Sequence, residues 1–310
     1  MLISHIGGSQ KKLMRSLNRL TVAISSRALF DLDEGNQIYE KEGIEAYRQY
    51  QCDNDRVVLS PGPAFNLVKK FLLINQKRGD QEPLVEVLLL SRNTPDTGLR
   101  IFHSIQHYGL NITRAVFSGG TSPYRYAKAF GAHLYLSLNP SDVRLAIQDG
   151  MAAAVLFHPN DNEYVSDELR FAFDGDAVLF SDIAERVFQG EGLEKFNQSE
   201  TEQAHLPLPP GPFKSFLMVL HELQKQELAI PLRTALVTAR SAPAHERVIN
   251  TLRSWDIRVD EALFLGGLEK VEFLKVFGAD IFFDDKPFEC GKASPHITSG
   301  HVPFGILNQS

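Results

Sequence analysis

The sequence predicts an α/β protein built on a mostly parallel sheet, with one βαβ pattern written twice along the chain. Three observations carry that expectation. Short apolar runs alternate with amphipathic stretches through all 310 residues, which is the rhythm of βαβ units. Several of the apolar runs end in acids, hydroxyls or Gly-Gly turns, the position at which open α/β sheets bind ligands. A long segment of the first half also aligns without a gap onto a segment of the second.

Taken in order, residues 1–20 read as an N-terminal tail or first helix, with basic residues but no signal-peptide core. Residues 85–90 (VEVLLL) form an apolar run interrupted only by Glu86, as expected of a strand covered on both faces. Residues 99–107 then read as an amphipathic helix, 115–117 as a strand, and Gly119-Gly120 as a turn. The same succession returns as a strand at 234–237, a helix at 244–255, a strand at 262–265 and the turn Gly266-Gly267. Residues 91–137 align on 238–284, matching Arg100 with Arg247, Phe117 with Phe264 and Lys128 with Lys275. Upstream, FDLDE at Phe30 parallels FDGDA at Phe173, and PGPAF at Pro61 parallels PGPFKSF at Pro210. Order and spacing agree together, so an internal duplication is expected. A polar, turn-rich stretch at 158–168 marks the boundary, which gives a first unit at 21–165 and a second at 166–310. Residues 196–212, polar and Pro-rich, are expected to be a connection or small insertion.

Composition narrows the function. Basic residues number 32 against 38 acidic ones, a net charge of −6, which speaks against a phosphate-neutralising nucleic-acid binder. No apolar run approaches a membrane span. The 2 cysteines, Cys52 and Cys290, lie in opposite halves without metal-ligand spacing, so a disulfide scaffold is not expected and a reducing cytoplasm is. The oligomeric state is open, a homo-oligomer included.

Four strand ends carry chemistry. Phe171 to Phe173 lead into Asp174-Gly175-Asp176, two carboxylates whose mutual repulsion a divalent cation would relieve. A second apolar run ends in Thr238-Ala239, offering a hydroxyl and main-chain N–H groups to an anion. Gly266-Gly267 leads into Lys270 at a helix start, where a cation opposes the helix dipole unless an anion is near. The last run ends in the acid pair Asp284-Asp285, followed by Lys286-Pro287. Singly, each reads as readily as a turn, a cap or a solvated side chain. Together they form an ordered set.

That set resembles the haloacid dehalogenase (HAD) superfamily of phosphotransferases, whose motifs are DxDx[T/V], a Thr or Ser, a Lys and a terminal acid pair. FDGDAVLFSD, LVTARSA, TLRSW, DEALFLGG, IFFDD and HVPFG look like the cytosolic 5′-nucleotidases of type I. So do ALFDLDE, SPGPAF and GGTSPYRYAKAF in the first half, and the resemblance runs from about residue 25 to 306. It implies a HAD-like Rossmannoid sheet and Mg²⁺-dependent hydrolysis of nucleoside 5′-monophosphates, AMP-like substrates in particular. Asp174 would be the nucleophile and Asp176 the general acid and base. Thr238, Ala239 and Lys270 would hold the phosphoryl group. Asp174, the Asp176 carbonyl and one of Asp284 or Asp285, with Asp285 favoured, would hold the metal. In the first half, Asp31 and Asp33 are expected to stand for the first motif, but Pro123 aligns with Lys270, and Ser137-Leu138 with Asp284-Asp285. That unit is therefore expected to be a scaffold or substrate-pocket wall. Two other readings stand beside the nucleotidase: a phosphatase of the same fold for another small phosphate ester such as a sugar phosphate, and a non-catalytic nucleotide-binding protein.

Overall fold

The computed structural model describes residues 19–76, 79, 81–157 and 167–309. Residues 1–18 of the expected tail and 158–166 of the expected boundary lie outside the described residues. The first half runs β1 (Leu20–Ser25), the single turn α1 (Ser26–Leu29), α2 (Asp33–Glu42), α3 (Ile44–Asp53) and α4 (Phe65–Leu73). It continues with β2 (Val85–Ser91), α5 (Leu99–His107), β3 (Arg114–Phe117), α6 (Tyr124–Ala129), β4 (Leu134–Ser137), α7 (Pro140–Gln148) and β5 (Ala152–Phe157). The second half opens with β6 (Leu169–Phe173), a tight π-turn at Gly175–Leu179, α8 (Ile183–Glu202) and α9 (Lys214–Gln224). It ends with β7 (Leu232–Thr238), α10 (His245–Ser254), β8 (Glu261–Phe264), α11 (Val271–Phe277), β9 (Ile281–Asp284), α12 (Pro287–Ala293) and β10 (Thr298–His301).

Local sequence explains these elements. In β2, Val85 and Val87 to Leu90 are fully buried, because helices cover both faces of a parallel strand. On α5, Ile101 and Ile105 lie one turn apart and face the core with Arg100 and Ser104, while Phe102, Gln106 and His107 face outward. One expectation fails. The polar stretch beginning at 196 is not a loop until after Glu202, since it forms the last turns of α8. It has no helix breaker, and Phe196 and Glu200, four residues apart, are both buried on one face.

The ten strands of the described residues lie in one sheet, ordered β3-β2-β1-β4-β5-β10-β9-β6-β7-β8. Read outward from the centre, each half has the same order, with β6 to β10 in the places of β1 to β5. Every pairing is parallel except β5 with β10. Strands of the two halves therefore run in opposite directions. The carboxyl ends of β1, β2 and β4 point to one rim of the sheet, and those of β6, β7 and β9 to the opposite rim.

The turns after β1 and β6 also match. Phe30 bridges Pro61 as Phe180 bridges Pro210. Gly62 N–H donates to Leu29 O (2.9 Å), and Gly211 N–H donates to Leu179 O (2.8 Å). A Cβ at either glycine would stand within 2.8 Å of main-chain oxygen, so this close approach admits only glycine. The main apolar core runs across both halves, with Phe171, Phe173, Phe213, Phe216 and Phe283 in ring contact at its second-half centre, and a second cluster around Leu274, Phe277 and Phe282 lies apart from it. Each such ring contributes about 1.5–3 kcal/mol by leaving water. Lys70 on α4 donates to Asp280 and to Glu168 O (2.9 Å), tying the halves at the foot of β9.

Candidate active site

β6 delivers Asp174 to the rim, where its N–H donates to Phe283 O (2.8 Å) on the neighbouring β9. The chain then turns at once. Ala177 adopts φ 59°, a left-handed conformation unusual for a residue with a Cβ, and the π-turn closes with Phe180 N–H on Gly175 O (2.9 Å). A Cβ at Gly175 would stand 3.4 Å from Thr238 Oγ1, so the turn lies directly against the end of β7. Thr238 is buried, and its Oγ1 accepts the Arg240 N–H (3.3 Å). Ala239 between them is exposed at the rim.

Lys270 is buried just before α11, and its Nζ donates to Asp174 Oδ1 and Asp284 Oδ2, both at 2.7 Å. The anion that a lysine at a helix start calls for is thus a pair of strand-end carboxylates. Burial opposes the ammonium charge, but Asp174 and Asp284 together hold its pKa well above the ordinary lysine value. Asp284 has both oxygens engaged, since Oδ1 also accepts the Lys286 N–H (2.8 Å). Carboxylate oxygens of Asp174, Asp284 and Asp285 lie within 4.8 Å of one another. Burial, with the Asp284 charge adding to it, raises Asp174 to about 6 against the pull of Lys270. Burial next to Asp174 and Asp284 raises Asp285 to about 9. Three buried acids crowd more negative charge together than one lysine offsets, and a hard divalent cation matches that donor set.

Asp176 stands apart from this cluster. Its carboxylate accepts two hydrogen bonds from Arg240, Nε at 2.8 Å and Nη2 at 2.7 Å. Its expected metal contact was through the main-chain carbonyl, which this side-chain pairing does not use. Arg240 also donates to Glu200 on α8, which accepts in turn from Arg247 Nη1 (2.7 Å) on α10. The Asp176–Arg240–Glu200–Arg247 chain escaped sequence reasoning, although Arg247 figured there as a repeat match. Its one visible signal is an arginine two residues past the strand-end threonine. His301, read as a packing residue, has Nε2 at 3.1 Å from Asp285 O and 3.0 Å from Asn308 Oδ1. Both partners are acceptors, which assigns the proton to Nε2. Asn308 Nδ2 donates to the same carbonyl (2.9 Å), so the C-terminal segment pins the backbone of Asp285. Cys290 is fully buried, with Sγ against Asp284 O (3.7 Å), and burial pushes its thiol up.

The expected pairing of Asp31 and Asp33 with Asp174 and Asp176 is wrong. In strand register Ser25, not Asp31, stands at the end of β1 where Asp174 follows β6, because Ile24 pairs with Leu136 as Phe173 pairs with Phe283. Asp31 N–H donates to Ser60 O (2.9 Å) as Ser181 N–H donates to Pro209 O (2.8 Å). FDLDE therefore sits beyond the turn, where FSD follows it in the second half. Asp31 is exposed, and Asp33 pairs with Arg27 (2.8 Å). The rims also differ, so the carboxyl ends of β1, β2 and β4 form no wall of the acid cluster.

The fold and the strand-end set define an α/β protein with a carboxylate-lysine centre at the carboxyl rim of parallel strands. A sequence model of the 5′-nucleotidase family matches residues 13–309, and the chain belongs to that family. Human cytosolic 5′-nucleotidase 1B is 44% identical over 283 residues, which cover 87% of this chain and 46% of the human protein. The chain thus spans about half the length of this relative. No solved structure matches it significantly. Among the described residues, no helix is long and apolar enough to cross a membrane.

Proposed function

We propose that the chain is a Mg²⁺-dependent, cytoplasmic 5′-nucleotidase that hydrolyses nucleoside 5′-monophosphates, AMP-like substrates among them, to nucleoside and phosphate. The observation that carries the reading is the buried Lys270 bridge between Asp174 and Asp284, with Asp285 alongside. The family and the relative's printed name support the substrate class. The matched strand order and turns support the finer reading of the fold. In that reading a HAD-like unit is duplicated, 21–165 being the degenerate repeat and 166–310 the catalytic one.

Asp174 and Asp285, with the Asp176 carbonyl, are the groups that would hold Mg²⁺, since both Asp284 oxygens already accept hydrogen bonds. Bound there, the ion supplies charge neutralisation to the phosphoryl oxygens. Lys270 and Asp284 keep the nucleophile oriented and its charge partly offset. The Thr238 hydroxyl and the Ala239 N–H receive phosphoryl oxygens. An Asp174 oxygen attacks phosphorus in line, the P–O5′ bond breaks, and its electron pair leaves on the ribose oxygen. Asp176 gives that oxygen its proton. It then takes a proton from the water whose oxygen attacks the aspartyl-phosphate, releasing phosphate and restoring Asp174. In the structure Asp176 is committed to Arg240, so substrate binding must turn it toward the leaving oxygen. Phosphate release over a panel of nucleoside monophosphates and sugar phosphates, with and without chelator, tests the reading. The highest kcat/KM belongs to a nucleoside monophosphate, and chelator abolishes it. A preference for sugar phosphates, or full activity in chelator, overturns it.

A further inference from the structure

At the rim opposite the acid cluster, a cavity of about 660 Å³ opens where β1, β2 and β4 end, walled by residues of α2 and α3. Its size and its place at the carboxyl ends of parallel strands suit a small organic ligand. The strand ends there are neutral, with Ser25, Ser91 and Ser137 at the places of Asp174, Thr238 and Asp284. The flanking positions are cationic. Arg27 follows Ser25 as Asp176 follows Asp174, and Arg92 follows Ser91 as Ala239 follows Thr238.

We propose that this cavity binds a phosphate ester of nucleotide size bearing a planar ring, without a metal ion and without hydrolysing it. Arg92 is fixed in a two-bond contact with buried Asp142 (2.6 and 3.1 Å), and Arg27 is held by Asp33 (2.8 Å). The buried Nε of Arg27 has no hydrogen-bond partner, nor has the fully buried hydroxyl of Tyr135, and both side chains line the cavity. These are donors waiting for an acceptor. Tyr39 and Tyr47, edge to face at 6.1 Å on the same wall, offer a flat ring an aromatic surface. Hydrolysis is excluded by the same residues. Pro123 replaces the bridging lysine, and Ser137-Leu138 replace the acid pair. Among the described residues the one cluster of three acids able to hold a metal is at the other rim. The proposal is independent of the hydrolysis assigned there.

The test is calorimetric titration of the full chain with AMP, adenosine and inorganic phosphate in excess EDTA, where a site needing a metal is silent. AMP binds in EDTA, and adenosine binds at least about tenfold more weakly because it lacks the charge the arginines read. Ser25→Asp keeps the cap that Ser25 makes to Ala28 N–H (3.3 Å), since Asp caps a helix equally well, yet it sets a carboxylate at the cavity floor. It weakens AMP by at least about tenfold, and Arg27→Gln weakens it in the same sense, both with melting curves like the parent's. Asp174→Asn leaves this metal-free binding in place. No AMP binding in EDTA, equal binding of adenosine, or indifference to both Ser25→Asp and Arg27→Gln overturns the proposal. Loss of this binding with intact turnover would strike the cavity alone, and loss of turnover with intact binding would strike the hydrolase reading alone.

Discussion

The two halves share a strand order and differ in the residues at their strand ends, and the difference separates groups that hold the turns from groups that carry charge. Gly43 and Gly192 both break a pair of helices at positive φ, 87° and 81°. Asn93 N–H donates to Ser91 Oγ (3.1 Å) as Arg240 N–H donates to Thr238 Oγ1 (3.3 Å). Asn139 N–H donates to Ser137 Oγ (3.1 Å) as Lys286 N–H donates to Asp284 Oδ1 (2.8 Å). A strand-end oxygen capping the N–H two residues on is a structural device that Ser, Thr and Asp supply equally. What the first half lacks is the strand-end acids and the lysine that bridges them. Where Asp176, Arg240 and Glu200 join in a buried ionic chain, the corresponding positions hold Arg27, Asn93 and the buried Gln51. Architecture alone therefore does not entail the reaction we propose, which rests on the acids and Lys270 placed on that scaffold.

The sharpest test of that separation is Asp174→Asn. The expected outcome is a loss of turnover of about 10⁴-fold or more with a melting temperature no lower than the parent's, because the substitution removes one of three crowded acids. Phosphate release and thermal melts measured side by side decide it. Residual hydrolysis within about tenfold of the parent would mean that the acid cluster is as structural as Ser25.

Arg240→Lys comes next. The lysine keeps the charge but cannot hold Asp176 with two parallel bonds, and it leaves Glu200 leaning on Arg247 alone. We expect kcat to fall by about 10²-fold with KM changed far less, and some loss of stability. An unchanged kcat would make the ionic chain a packing feature, no different in kind from Gln51 and Asn93.

A smaller effect concerns pH and metal. Asp174 and Asp285 hold protons in the folded metal-free protein up to about 6 and about 9, against 3.8 as the ordinary value. Their unfolded-state counterparts release protons first as pH rises, so the contribution of these two groups to stability falls from about pH 4 upward and levels off only above pH 9. Thermal melts in chelator should show that decline. Asp285→Asn should flatten its upper part, and Mg²⁺ should raise the melting temperature most at alkaline pH. A flat metal-free profile would remove the case for uncompensated charge.

How much of this was legible in the sequence follows from the same comparison. β2 and α5 were legible because apolar runs and 3.6-residue periodicity are local signals, and α5 begins and ends where the pattern places it. The acids, Thr238 and Lys270 were legible because each sits at the end of an apolar run. The Arg240–Glu200–Arg247 chain was not, since Glu200 lies in a polar helix end that only tertiary packing buries. Nor was the single sheet, because the antiparallel β5–β10 junction joins segments separated by the whole second half of the chain. The misaligned FDLDE has a specific cause. The string F-D-x-D occurs in both halves, but register is set by strand pairing and by the Phe30–Pro61 and Phe180–Pro210 bridges.

The smallest expected effect belongs to Asp31→Asn, and it tests that corrected register. Had Asp31 stood at a strand mouth like Asp174, its loss would alter whatever the first half binds. It lies instead past the turn, exposed, where its Oδ1 accepts the Asp33 N–H (2.9 Å). Asn offers the same carbonyl oxygen to that N–H, and a surface charge so placed is worth at most about 0.5 kcal/mol. Turnover of AMP and metal-free AMP binding should each stay within about twofold of the parent, with the melting temperature nearly unmoved. A loss of turnover near that of Asp174→Asn would show that the first half takes part in the chemistry, and the contrast between the two rims would fail at its base.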